Sequence, residues 1–170
     1  MRQTLIVLTA ALALALPATA LAGNTSTSDP NASQTCKTLR DKMGTSAFEA
    51  AYGTNTNKSN AFGKCVSKMS SAQKADRTSA NSKCKTEQSD ANFAATHGGK
   101  TFAQFYGTDA ALANAFGQCV SAKAKAAGQT QLQATVSAAK TCRGEMNANR
   151  AAFKTKYRTF GRCVSQHVTQ

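Results

Sequence analysis

The chain of 170 residues predicts an all-α fold built from three repeated helical hairpin units, each stapled by a disulfide, with room for long helices shared between units. Three observations carry that expectation. Beyond its N-terminal segment the sequence is rich in Ala, Lys, Gln and Ser, poor in β-branched aliphatics and free of alternating apolar runs, which favours helix over strand. A motif returns three times, as "NAFGKCVS" at 60–67, "NAFGQCVS" at 114–121 and, shortened, "FGRCVS" at 160–165. Six cysteines, Cys36, Cys65, Cys84, Cys119, Cys142 and Cys163, follow an N-terminal export signal, and an even number in an oxidising compartment reads as a disulfide framework.

The elements follow in chain order. Arg2, the apolar run "LIVLTAALALAL" and the small-residue sites Ala18-Thr19-Ala20 and Ala20-Leu21-Ala22 read as a signal peptide over 1–22, cleaved near Ala20 or Ala22. The run is short for a membrane span, and no later segment is apolar enough to cross a bilayer. The protein is therefore expected to be secreted. Residues 23–33, "GNTSTSDPNAS", are polar, hold Pro30 and show no period, so they predict a flexible leader. A helical repeat domain is expected over 34–170, with units at about 34–69, 82–123 and 140–168.

Each unit opens with a cysteine, continues to a Phe-x-x-x-Tyr pair and closes with Phe-Gly-x-Cys-Val-Ser. The pairs Phe48/Tyr52, Phe102/Tyr106 and Phe153/Tyr157 stand at i, i+4 and so share a helix face. From tyrosine to closing cysteine there are 13 positions in units one and two but six in unit three, which lacks a counterpart of "GTNTNKSNA". From opening cysteine to phenylalanine there are 12, 18 and 11, so unit two carries an insertion around "NFAATHGG". Tyr52-Gly53-Thr54 and Tyr106-Gly107-Thr108 predict a helix stop followed by a polar cap for the next helix. Phe62, Cys65, Val66 and Met69 fall on one helical face. Gly63 inside that helix predicts the close approach of a neighbouring helix. No Gly or Pro interrupts 64–97, which predicts a long helix from unit one into unit two. Gly128 followed by Thr130-x-x-Gln133 predicts a break and a capping box between units two and three.

Helix length constrains the cysteines. A helix over 65–84 would set its two cysteines roughly 28 Å apart, whereas a disulfide tolerates a Cα separation of about 7 Å. Pairing within units, Cys36–Cys65, Cys84–Cys119 and Cys142–Cys163, is the simplest of the 15 connectivities that six cysteines allow. The third pair needs a fold-back between Gly144 and Gly161. The staples matter because residues 23–170 hold three Leu, five Val, eight Phe and no Ile, while the whole chain carries a net charge of +13. So thin a core under self-repelling charge is marginal alone, and each closed loop contributes roughly 3–4 kcal/mol in the chain-entropy model.

Catalytic chemistry finds little support. The two histidines, His97 and His167, sit in no nucleophile motif; His97 reads as a polar loop residue. The eight acids are scattered, and no acid/base pair is expected to repeat with the frame. No C-x-x-C spacing and no histidine at ligand spacing from a cysteine supports a metal or cofactor site. The tripeptides at 24–26, 31–33 and 57–59 match the N-glycosylation pattern as chance products of Asn/Ser/Thr-rich loops. What remains is charge. Lys140, Arg143, Arg150, Lys154, Lys156, Arg158 and Arg162 lie within 23 residues that hold one acid, Glu145. Such a segment attracts anionic polymers or an anionic envelope surface.

The stretches "YGTNTNKSNAFGKCVS" (52–67) and "FAQFYGTDAALANAFGQCVS" (102–121) resemble repeats of small exported bacterial proteins of actinobacterial type. The resemblance covers most of 36–168. It implies export and repetition and brings no activity, ligand or catalytic residue with it. Unit three departs from it, because Arg158 follows Tyr157 where the other units have glycine. The expected function is a non-enzymatic exported interaction module with a basic surface for anionic polymers or envelope components. A protein-binding inhibitor or effector using the Asn-rich loops 53–60 and 107–114 is the second reading, and a hydrolase the third.

Overall fold

The computed structural model describes residues 31–169, which form eight α-helices and no strand. The expected signal peptide and residues 23–30 of the leader lie outside the described residues. The leader's last three residues belong to the fold instead. Asn31 caps the first helix in a capping box with Gln34, and Ala32 and Ser33 are already helical.

Helix α1 (Ala32–Met43) buries Ala32, Thr35, Cys36, Leu39 and Met43, a spacing of three and four that makes one face. It ends at Gly44, whose φ of 79° and ψ of 150° suit glycine alone and let one residue close α1 and open α2 (Thr45–Tyr52). After a loop, α3 (Ala61–Gln88) runs for 28 residues into unit two, as the absence of Gly and Pro predicts. The insertion of unit two builds the short α4 (Phe93–Thr96), and α5 (Phe102–Tyr106) carries the second Phe/Tyr pair.

The 34 residues of α6 (Ala115–Ala148) correct one expectation: no break occurs at Gly128, and no capping box forms at Thr130. The Thr130 hydroxyl donates to the Ala126 carbonyl one turn back (3.0 Å), as a mid-helix threonine does, and is not left to cap a new start. In unit three the missing loop leaves only a tight corner between α7 (Arg150–Tyr157) and α8 (Phe160–Val168). There Arg158 has φ 62° and ψ −43°, and the Thr159 amide donates to the Tyr157 carbonyl at 2.7 Å, the three-residue bond of a γ-turn.

The disulfides are Cys36–Cys65, Cys84–Cys119 and Cys142–Cys163, with Cα separations of 6.0, 6.0 and 5.9 Å. All six cysteines are completely buried. The three units nevertheless do not bury three cores. Leu39, Phe48, Tyr52, Cys65 and Met69 of unit one pack with Val136, Cys142, Phe153, Tyr157 and Val164 of unit three in one continuous core. Unit two forms a second, smaller core of Cys84, Phe93, Phe102, Ala115 and Cys119. Helices α3 and α6 run antiparallel between the two, since the start of α3 and the end of α6 lie in the first core and their other ends in the second.

Gly63 is the other correction. A Cβ built there meets nothing within 4 Å, so no helix among the described residues approaches it. The close approach occurs at the third copy, where a Cβ on Gly161 would sit 2.7 Å from the Ala51 carbonyl oxygen as α8 crosses the end of α2. No helix among the described residues is long and apolar enough to cross a membrane.

Candidate functional site

The seven basic residues singled out above divide by what their side chains do. Arg143 is structural: its Nη2 donates to the Met43 carbonyl at the end of α1, a group the helix itself leaves unsatisfied. Lys156 is also engaged, with its ammonium 4.6 Å from the Tyr157 ring centre and 3.4 Å from Glu145 Oε2. The hydroxyl of Tyr157 and the Glu145 carboxylate together raise the Lys156 pKa. The other five, Lys140, Arg150, Lys154, Arg158 and Arg162, are exposed, and their side chains make no hydrogen bond or ion pair among the described residues. Arg150, Lys154 and Arg158 are spaced four apart along α7 and its C-cap and so form one stripe. Arg162, on α8, lines a groove of about 690 Å³ with Lys58, Thr54, Thr159 and Ser165, and no acid among the described residues lines that groove.

Arg158 takes the position that glycine holds after Tyr52 and Tyr106. Gly53 and Gly107 are extended there, with φ of −71° and −67°, and a Cβ on them would collide with Lys58 and Leu112, whereas Arg158, with no such loop beside it, turns to a φ of 62°.

Beside this basic face lies a polar cluster that sequence reasoning missed. Glu145 Oε1 is 3.0 Å from His167 Nε2, which is itself 3.2 Å from the Tyr157 hydroxyl. Tyr157, with His167 and Lys156, holds the Glu145 carboxyl below its usual range. Unit two repeats the arrangement. The Tyr106 hydroxyl donates to Glu87 Oε2 at 2.9 Å, and Lys123 Nζ lies 2.7 Å from Glu87 Oε1. Burial alone would raise the Glu87 pKa, but the hydrogen bonds from Lys123 and Tyr106 bring it down. Burial and the hydrogen bond to Glu87 raise Tyr106.

The expectation that no acid/base group repeats with the frame is therefore wrong. The glutamate stands three residues after the opening cysteine, and the lysine or histidine four after the closing one. Aligning the units on their cysteines would have found both. In unit one the same positions hold Leu39 and Met69, both buried in the core that also holds Tyr52, whose pKa burial pushes up to about 12. The triads join the helices that carry their members, α3, α5 and α6 in one case and α6, α7 and α8 in the other. Cys142, Cys163 and His167 lie within 4.8 Å of one another. The two sulfurs are bonded to each other and offer no thiolate to a metal.

The Asn-rich loops spend their polar groups on themselves. Asn60 Oδ1 accepts from the Thr54 amide at 3.0 Å while its Nδ2 donates to the Thr54 hydroxyl at 2.7 Å. Asn114 and Thr108 do the same at 3.0 and 2.8 Å. Asn60 and Asn114 thus stand at the helix starts and clamp their loops, so Thr54 and Thr108 are clamp partners and do not cap α3 and α6. Lys58 and Leu112 share a left-handed backbone at the equivalent place, so both loops have one shape. His97 is packed more tightly than a loop residue: its ring stacks on Phe93 at 3.7 Å, and its Nδ1 lies 2.8 Å from the Phe93 carbonyl.

No protein family, curated protein or solved structure matches this chain.

Proposed function

We propose that the protein is an exported, non-enzymatic interaction module that holds anionic polymers or envelope components against the basic face of its third unit. The observation that carries this reading is the stripe Arg150, Lys154 and Arg158. These three exposed cations make no hydrogen bond or ion pair among the described residues, and Arg158 holds a positive φ at the corner into α8. Structural roles account for Arg143 and Lys156, so the binding face reduces to that stripe with Lys140 and Arg162 as neighbours. The aromatic residues interleaved with the charges, Phe153, Tyr157 and Phe160, are buried, so the attraction is electrostatic without base stacking. Binding of this kind releases counterions and weakens steeply with salt. Retention on immobilised heparin or DNA at low salt, lost as salt rises, is the expected result; no retention at low salt contradicts the reading.

A further inference from the structure

Where α1, α3 and α6 meet, they leave a cavity of about 240 Å³. Its wall is amphipathic: Met69 and Leu132 supply apolar surface, and Thr35 and Gln73 supply polar groups. One feature marks it as more than a packing gap. Asp76 lines it, and Asp76 Oδ2 is buried without a hydrogen-bond partner among the described residues. Buried polar atoms in native proteins are almost always partnered, so an orphaned carboxylate oxygen calls for an occupant. Gly128 lines it too, and a Cβ there would meet nothing within 4 Å.

We propose that this cavity is a binding site for a small amphiphile that presents a hydrogen-bond donor, an ammonium or a hydroxyl group, on a short apolar body. A carboxylate only accepts, so its partner must donate. The volume lies just below the range of about 300–1,000 Å³ typical of ligand sites and is several times the roughly 30 Å³ of a water molecule. Arg77 and Lys125 also line the cavity, so an anionic amphiphile is the competing occupant.

The test titrates the oxidised full-length protein with hexylamine, hexanol and hexanoate, following backbone NMR shifts. Saturable shifts of cavity residues with the amine or the alcohol, at least tenfold tighter than with hexanoate, are expected. A preference for the amine assigns an ion pair at Asp76, and parity with the alcohol a plain hydrogen bond. Gly128→Leu fills the space from the α6 side and should abolish binding while the melting temperature holds or rises. Asp76→Ala, which leaves the volume intact, should weaken binding at least tenfold. Hexanoate binding as tightly as the others, no saturation with any probe, or unchanged binding in either variant overturns the proposal.

Discussion

Gly63 and Gly161 occupy the same place in two copies of one motif and carry opposite consequences. At Gly161 a methyl group would press on the Ala51 carbonyl, so Gly161→Ala is expected to cost about 1–3 kcal/mol through overpacking. At Gly63 there is open space, so Gly63→Ala should stabilise the protein by about 1 kcal/mol through helix propensity alone. Urea denaturation of the two variants checks both signs. The sequence makes the two glycines look equivalent because a motif records local chemistry, whereas close approach is decided by which helix crosses. Tyr52 gives a second residue-level expectation. Its folded pKa of about 12 lies above the unfolded value of 10.0, so its contribution is complete below pH 10 and is lost as pH rises toward 12. That difference between the folded and unfolded states corresponds to roughly 2–3 kcal/mol. Alkaline melts should show a steeper loss in the native protein than in Tyr52→Phe.

Among the elements, the long helices were legible where the physics is local. An uninterrupted run without Gly or Pro gave α3, whereas Gly128 and Thr130 misled for α6. A single glycine costs a helix only about 1 kcal/mol. Disulfides anchor α6 near both ends, at Cys119 and Cys142, and its buried positions reach both cores. The triads escaped notice because their members lie far apart in sequence and only the fold brings them together. The Glu87 carboxyl is held below its ordinary value in the folded chain. Its contribution is therefore present above the unfolded pKa near 4.5 and disappears as pH falls through and below it. Glu87→Gln should lower stability at neutral pH by about 1–3 kcal/mol, in the range of a lost charge-assisted bond. The same substitution should flatten the acid side of the stability profile, which acid titration of thermal melts would reveal.

At the scale of the whole molecule, two cores joined by an antiparallel helix pair imply unequal stability. The unit-two core rests on few apolar side chains, and Cys84–Cys119 closes its loop. Replacing both cysteines by serine removes roughly 3–4 kcal/mol of loop restraint. Amides of α4, α5 and the adjoining helix ends should then exchange rapidly, while α1, α2, α7 and α8 keep their protection. Loss of protection throughout would show that the cores unfold as one. The helical class and the cysteine pairs were readable from composition and spacing. The union of units one and three was not, because it depends on α3 and α6 folding back along each other and on α8 crossing α2. The same folding separates the basic stripe of α7 from the anchored Arg143 and Lys156, a division that composition cannot make.

If this stripe, and not the general positive charge, engages a polyanion, its removal must change the salt dependence of binding. The direct test measures heparin affinity against salt for the native protein, for Arg150→Ala/Lys154→Ala/Arg158→Ala, and for a control that removes the exposed Lys37, Lys64 and Lys68 by the same substitution. The slope of log affinity against log salt should fall by about 2–3 in the stripe variant, close to one for each anionic group no longer neutralised. The control should stay near the native slope. An equal fall in both variants, or none in either, would contradict the account.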